Sequence, residues 1–321
     1  MVWNLSSLRR CVNDMMIYDF LTVNKPEGYR SDCALPDHAL LGDGAASSWV
    51  AGAYEGLMMR SLYSIRRQPL MNYLLARKVR RQIVKSSEEN RTAMHKALIK
   101  ASALAIVDPL ISFLSGFNLD REAVAAEARH LATETEHREL VKVGIALLGT
   151  FGKMEDIETI LLPLGRHEEF TFYVAPAVRA LMGDDRNAVL LPLADAVDGW
   201  GRLAVLYELN FADPAVKDYL LRFGCRNRLG LAEAANLCAT KGDLAGTLEA
   251  LAAGEALPDA ELYQGLCDIL TGLLVFDGVH DSIQDYKHGH RAQVAFVVLT
   301  QKYRELAGMD PRTEEILKKM R

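Results

Sequence analysis

Residues 156–164 read DIETILLPL, and residues 185–193 read DRNAVLLPL. The same phrase, an Asp followed five residues later by an apolar cluster, thus returns after 29 residues. Looser copies follow at 213–221 (DPAVKDYLL) and 243–251 (DLAGTLEAL). A period of about thirty residues is typical of chains that are built from stacked supersecondary units.

A second apolar segment separates each copy of the phrase from the next. These segments cover residues 170–181, 203–211, 229–238 and 262–274. Each unit is therefore interpreted as two helices, a reading favoured by the abundance of Leu and Ala and by an aromatic content of only 7%. One such pair cannot enclose its own apolar stripe, so the units are expected to stack. Truncation of a shared leucine such as Leu191 or Leu220 should then destabilise the stack.

This alternation of helices resembles HEAT repeats, especially the short bacterial type. The nearest match is the cluster 190–193 followed by Asp198 and Arg202, because HEAT units commonly carry a turn Asp and an Arg early in the second helix. Arg226 or Arg228 is the corresponding residue of the next unit. The resemblance covers about residues 120–276 and implies an all-α fold, an α-α superhelix or solenoid of the HEAT/armadillo type.

One unit departs from this pattern. It has Glu168 and Glu169 where the resemblance implies a cation, and Pro176 inside its second helix. This unit is where a functional site on the array is most strongly indicated.

The division of the chain is predicted in three parts. Residues 1–118 form an N-terminal helical region that is either separate from the array or continuous with it. Residues 119–276 contain the HEAT-like repeats, and 277–321 form capping helices. The chain has five cysteines and no Cys-x-x-Cys pair, so we expect neither disulfides nor structural zinc, and a cytoplasmic location.

Positive charge is concentrated in residues 60–100, which contain eleven basic residues against Glu88 and Glu89. A helix from Pro69 would place four cations on one face, opposite Leu75, Val79 and Ile83. We name this face the basic ridge, and it consists of Arg77, Arg80, Arg81 and Lys85. It could contact a nucleic acid or another anionic surface, or could simply be solvated.

Two groups of histidines and acids are candidate metal ligands. Glu127 and His130 have the i, i+3 spacing of carboxylate-bridged di-metal bundles, but no matching sets are visible elsewhere in the sequence. The second group lies near the end of the predicted array, where imidazole and carboxylate would suit Zn, Mn or Fe. It comprises His280, Asp281, Asp285, His288 and His290. Its first three members could share a helical face, or the segment could be the polar loop that closes the array, as Gly278 and Gly289 indicate.

We predict an intracellular binding or scaffold protein that presents a solenoid groove to a protein or peptide partner and needs no cofactor. The alternative is an enzyme of HEAT-like fold, metal-dependent through the His280–His290 group or acting on a nucleic acid held by the basic ridge. A binding module should expose aromatic side chains in its groove, whereas an enzyme should gather several acids and histidines in one pocket. The groove candidates are Arg166, Glu168, Glu169, Tyr173, Trp200, Arg202, Tyr207, Arg226 and Arg228.

Overall fold

The computed structural model describes residues 15–23, 31–37, 50–60 and 69–320. Within these ranges all regular structure is helical and no strand occurs, as the sequence predicts. The helices of these ranges are too short or too polar to cross a lipid bilayer. The chain divides into two compact units, Met1–Glu208 and Leu209–Arg321. The three-part division at residues 118 and 276 stays a prediction.

Within the described ranges, the first unit consists of successive helices of different lengths. A π-helical turn, Ile157–Leu161, leads into α8, and a 3₁₀ turn, Gly183–Arg186, leads into α10. The helices are α1 (Ile17–Val23), α2 (Ala53–Arg60), α3 (Pro69–Val84), α4 (Glu88–Ile99), α5 (Ala103–Gly116), α6 (Arg121–Thr133), α7 (Arg138–Phe151), α8 (Leu162–Gly165), α9 (Glu168–Met182), α10 (Asn187–Ala196) and α11 (Gly199–Glu208).

The second unit continues with further short helices. They are α12 (Pro214–Phe223), α13 (Ala232–Lys241), α14 (Leu244–Ala253), α15 (Ala260–Leu273), α16 (Gly289–Lys302), α17 (Arg304–Met309) and α18 (Arg312–Lys319).

The predicted helix pairs are present. The apolar segments that separate the copies of the phrase lie mainly in α9, α11, α13 and α15, with residues 209–211 and 229–231 outside these helices, and the phrase itself forms the helical turn or helix before each of them. α9 packs against both α7 and α11, and α13 packs against α15. The leucine that each copy shares is fully buried in all four cases, at Leu161, Leu190, Leu220 and Leu248. Leu191, by contrast, is only half-buried, so Leu190 is the core leucine of its unit.

The repeated Asp does not make the same contact in every copy, although Asp243 caps α14, by accepting a hydrogen bond from the amide of Gly246, much as Asp213 caps α12. Asp213 caps α12 by accepting a hydrogen bond from the amide of Ala215, whereas Asp185 lies exposed in the 3₁₀ turn. Asp156 is buried and accepts from the guanidinium of Arg129 at 2.7 Å. The phrase therefore repeats a helix boundary, not one particular contact.

Residues 88–116 form two separate helices, and Pro109 ends neither of them. α4 ends at Ile99, and α5 begins at Ala103 and runs through Pro109. The N-terminus of α5 is capped by a residue of another helix: the carboxylate of Glu139, on α7, accepts a hydrogen bond from the Ala103 amide at 2.6 Å. No local sequence pattern could have shown this cap.

Candidate functional site

α7 and α9 begin with the same turn. Residues 137–139 read HRE and residues 167–169 read HEE. In each helix the histidine is the N-cap, and its Nδ1 accepts a hydrogen bond from the amide two residues later, at 3.3 Å in both cases. His167 Nε2 also lies 2.8 Å from the carbonyl oxygen of Cys33. Nδ1 must be unprotonated to accept, so Nε2 carries the proton and the ring of His167 is neutral. Burial lowers the pKa of both histidines, which favours this form.

The shared turn places Glu139 and Glu169 near Lys142. The Lys142 ammonium lies 2.7 Å from Glu169, 3.1 Å from Glu139 and 2.6 Å from Glu55 of α2. The hydroxyl of Tyr173 donates to the same Glu55 oxygen at 3.3 Å. One buried cation thus joins α2, α7 and α9.

Arg138 provides the second cation. Its amide and guanidinium both donate to the carboxylate of Asp37, with the shortest contact 2.7 Å from Nη2 to Oδ1. Its Nη1 lies 3.4 Å from Glu169. We name this set the ion cluster, and it consists of Asp37, Glu55, Arg138, Glu139, Lys142 and Glu169.

The segment 31–37 lies across the starts of α7 and α9. Besides the contacts of Cys33 and Asp37, the carbonyl of Ser31 accepts from the Glu168 amide at 2.7 Å. The Ser31 hydroxyl donates to Glu168 Oε1 at 2.8 Å. This segment therefore supplies hydrogen-bond partners that the first turns of α7 and α9 need.

Burial and charge act against each other in the ion cluster. Burial alone would raise the pKa of Glu169, but Lys142 and Arg138 outweigh it and lower that pKa to about 2. Burial would lower the pKa of Lys142, and the surrounding carboxylates raise it well above its usual value. For Glu55 burial prevails, and its pKa is raised although Lys142 is adjacent. Glu169 is therefore ionised, and Glu55 loses its proton only at a higher pH than Glu169 does.

An open pocket lies beside the ion cluster, between α2, α9 and α11. The amide of Gly52, in its wall, donates to Glu169 Oε2 at 3.4 Å and so links the pocket to the cluster. The ring of Trp200 lies against Gly56, where an added Cβ would overlap the indole carbon Cε3. We name it the aromatic pocket, and it is lined by Gly52, Gly56, Glu168, Phe172, Trp200, Leu203, Ala204 and Tyr207.

The structure separates the predicted acidic and aromatic groove residues into two sets. Tyr207 is 48% exposed and lines the aromatic pocket with the half-buried Trp200 and with Glu168. The expectation that Tyr173 is exposed in a groove is wrong: it is buried, its hydroxyl donates to Glu55, and its ring centre lies 5.7 Å from the Lys142 ammonium. Glu169 is likewise buried in the ion cluster.

The four predicted arginines do not share one environment. Arg166 is exposed just before α9, and Arg202 is buried, with Nη1 donating to the carbonyl of Ala194 at 2.5 Å. Arg226 and Arg228 are exposed in the second unit, where the guanidinium of Arg226 lies 4.8 Å from the centre of the Phe223 ring.

The basic ridge lies on α3 and just beyond its end. Its four cations are exposed, while Leu75 and Val79 on the same helix are buried. The guanidinium groups of Arg77 and Arg80 lie over the rings of Tyr73 and Phe117, and no carboxylate of the described ranges pairs with the four cations. Two other basic residues of this region, Arg66 and Arg67, lie outside the described residues.

The histidine group of residues 280–290 lies largely in a loop, so His280, Asp281 and Asp285 do not share the helical face that the sequence allows. Its first four members lie in the irregular segment between α15 and α16, and their polar atoms have separate partners. His280 lies between Asp277, at 2.7 Å, and Glu233, at 3.1 Å. Asp281 accepts from Asn236, and Asp285 accepts from the amide and hydroxyl of Ser282.

The sequence analysis identifies only Glu169 of the ion cluster, and five members are not among its candidates: Asp37, Glu55, Arg138, Glu139 and Lys142. Asp37 and Glu55 are single acids in regions without a pattern. Arg138 and Lys142 could have been detected, because the turn HRE returns as HEE thirty residues later and because Lys142 interrupts the apolar face of α7. The predicted irregular unit, with Glu168 and Glu169, does lie at this site.

Comparisons with protein-family models, with curated proteins and with solved structures give no match to this chain.

Proposed function

We propose that this protein is a HEAT-like α-solenoid that acts as a binding or scaffold protein, and that the aromatic pocket receives a side chain of a protein or peptide partner. The packing of α9 against both α7 and α11 supports this, because side-by-side second helices are the arrangement of such arrays. The resemblance of the repeated phrase to HEAT repeats also supports this fold.

The observation that carries the proposal is the exposure of aromatic side chains around a concave pocket. Tyr207 is half-exposed, and Trp200 and Phe172 complete the wall. Trp and Tyr are enriched among the residues that dominate binding energy at protein interfaces, where they fill desolvated pockets. A partner side chain of apolar or aromatic character fits this lining.

The ion cluster supports this proposal by fixing the helices that form the pocket. Its carboxylates lie against Lys142 and Arg138, at contacts between 2.6 and 3.4 Å. Such pairing favours a structural role for these groups over a role in acid–base chemistry. A surface that is already rigid loses less conformational entropy when a partner binds.

A capture experiment tests the proposal. The full chain, immobilised, is incubated with lysate of the native host, and retained proteins are identified by mass spectrometry. We expect a partner whose retention falls at least about tenfold in Tyr207→Ala, since truncating an interface aromatic costs more than about 1.4 kcal/mol. Phe276→Ala is the matched control, because Phe276 is also an exposed aromatic residue but lies in the second unit. Equal retention by wild type and Tyr207→Ala contradicts a role for the pocket.

The basic ridge supports a second candidate, contact with a nucleic acid. Four exposed cations without ion pairs to the described carboxylates are available for phosphate groups. If all four contact phosphates of duplex DNA, the logarithm of the binding constant should fall with the logarithm of the salt concentration at a slope of about −3.6. Binding that is absent at low salt, or unchanged when the four cations are replaced by Ala, contradicts this candidate.

A further inference from the structure

His95 of α4 lies beside Glu127 and His130 of α6. One ligand atom from each of the three residues lies within 4.8 Å of the other two. The two imidazole rings are stacked, with centroids 5.9 Å apart and planes inclined by 20°. His95 thus adds, from a different helix, a third ligand to the Glu-x-x-His spacing that the sequence shows on α6.

Two potential ligand atoms at this place are buried without partners, as is the N–H donor Nε of the neighbouring Arg91. Nε2 of His95 and Oε1 of Glu127 have no hydrogen-bond partner within the described part of the chain. Glu127 is only 7% exposed. A buried polar atom without a partner is costly, so each such atom in a native structure requires an explanation. A bound cation would satisfy both of these atoms at once.

The surroundings orient the other atoms of the three residues. Nδ1 of His130 lies 3.0 Å from the carboxylate of Glu134, which leaves Nε2 of His130 for a metal. A carboxylate behind a histidine in this way is the common outer-shell arrangement of metal sites. Oε2 of Glu127 accepts from Gln82 at 3.2 Å and from Arg91 at 3.5 Å, so Oε1 remains as its ligand atom.

We propose that His95, Glu127 and His130 bind one divalent transition-metal ion of the zinc class. Two imidazoles and one carboxylate are a ligand set for such ions, and three protein ligands leave a coordination position open for water or a substrate. In a tetrahedral zinc site the ligand atoms lie about 3.4 Å apart, so the three side chains close slightly around the ion. This site is independent of the aromatic pocket, which belongs to α2, α9 and α11.

The charges and ligand atoms of the site determine which metal ions it prefers. Glu127 contributes one negative charge and Arg91 one positive charge next to it. Burial, followed by the proximity of His130, lowers the pKa of His95, so its ring is neutral and available for coordination. Hard cations such as Ca²⁺ and Mg²⁺ prefer several oxygen ligands, whereas only one carboxylate is offered here. The site therefore favours zinc-class ions over these.

Metal titration of the full chain tests this proposal. Protein that a chelator has freed of metal is titrated with Co²⁺, followed by its visible absorption, and with Zn²⁺, followed by calorimetry. We expect one ion per chain for both metals. Loss of an outer-shell partner alone weakens metal binding about 10- to 100-fold, so His95→Gln, Glu127→Gln and His130→Gln should each weaken it at least about 100-fold.

Glu127→Gln is the deciding variant, because the amide keeps the shape of the side chain and an acceptor oxygen for Gln82. Circular dichroism establishes that each variant is folded. His280→Gln is the matched control, since His280 is hydrogen-bonded to Asp277 and Glu233 and is not a ligand of the proposed site. This variant should bind the metal with the affinity of the wild type. Absence of Co²⁺ binding in the wild type overturns the proposal, as does equal affinity of Glu127→Gln and the wild type. Loss of binding in His280→Gln alone also overturns it.

Discussion

The ammonium group of Lys142 lies 2.7 Å from the carboxylate of Glu169, and both side chains are buried. Lys142 lies on α7, and Glu169 lies in the first turn of α9. The same ammonium also contacts Glu55 and Glu139, so three acids share one cation, and Arg138 provides a second cation for Glu169.

Removal of this cation should be strongly destabilising. Lys142→Met keeps the length of the side chain but leaves buried carboxylates without their counter-ion, and we expect a loss of about 3 to 5 kcal/mol in the free energy of unfolding. Urea denaturation measures it. Lys153→Met is the control: Lys153 is 57% exposed, its ion pair with Glu122 is solvated, and the loss should stay below about 1 kcal/mol. A loss below about 1 kcal/mol in Lys142→Met would show that the ion cluster does not stabilise the fold.

Replacement of His167 by Ala should destabilise the start of α9. The variant loses the cap on the Glu169 amide and leaves the Cys33 carbonyl without its donor. Together these losses should cost about 2 to 3 kcal/mol. His288→Ala is the matched control, because His288 precedes α16 and makes no capping bond, and it should change stability by about 0.5 kcal/mol or less. Equal thermal midpoints for the two variants would contradict the capping role.

The neutral histidines should make stability fall in mild acid. Burial lowers the folded-state pKa of His137 and His167, and also that of His95, so the unfolded chain binds protons at higher pH than the folded chain. Their stabilisation is complete above about pH 6.5 and is lost as the pH drops through the lowered pKa, with a slope of at most about 1.4 kcal/mol per pH unit for each histidine. Glu55, whose pKa is raised, acts in the opposite direction at lower pH.

This loss of stability is measured as the change in the urea concentration at the unfolding midpoint between about pH 7.5 and about pH 5.5. The double variant His137→Asn, His167→Asn keeps a capping oxygen at both positions but removes two titrating groups. Its midpoint should therefore depend less on pH than that of the wild type. The same dependence in both proteins would assign the acid sensitivity to other groups.

Gly56 should not tolerate a larger residue. A Cβ at this position would overlap the ring of Trp200, so Gly56→Ala must displace the indole or α2. We expect a loss of about 1 to 3 kcal/mol and a change in tryptophan fluorescence. Gly116→Ala, at the end of α5, has open space around the new methyl group and should be neutral or slightly stabilising. Unchanged fluorescence and stability in Gly56→Ala would be incompatible with this packing.

Two adjacent leucines should differ in their effect on stability. Leu190 is fully buried and Leu191 is half-buried. Leu190→Ala should cost about 2 to 5 kcal/mol, as truncations in a packed core do, and Leu191→Ala should cost clearly less. Chemical denaturation of both variants under the same conditions tests this, and a larger loss at Leu191 would place the core on the other face of α10.

The helices could be predicted because their signals are local. The shared leucines recur with the period of the repeat, and all four are buried. The site could be predicted only where it disturbs that period, at Glu168 and Glu169. Its other members depend on contacts between distant positions, as with Arg138 and Asp37, which are 101 residues apart in the sequence. Neither residue carries a local signal for the other, so no spacing rule could pair them.

The positions of Asp37 and Glu55 in the chain bear on the order in which the first unit folds. A chain is synthesised from its N-terminus, so these two acids leave the ribosome before Arg138, Lys142 and Glu169 exist. They cannot reach their buried places until α7 and α9 have been made, and until then they remain hydrated. A fragment that starts at residue 119 would lack Asp37 and Glu55, so Arg138 and Lys142 would each have lost one carboxylate partner. The first unit should therefore complete its folding only after α9 has been made, when the segments that contain Asp37 and Glu55 can pack against α7 and α9.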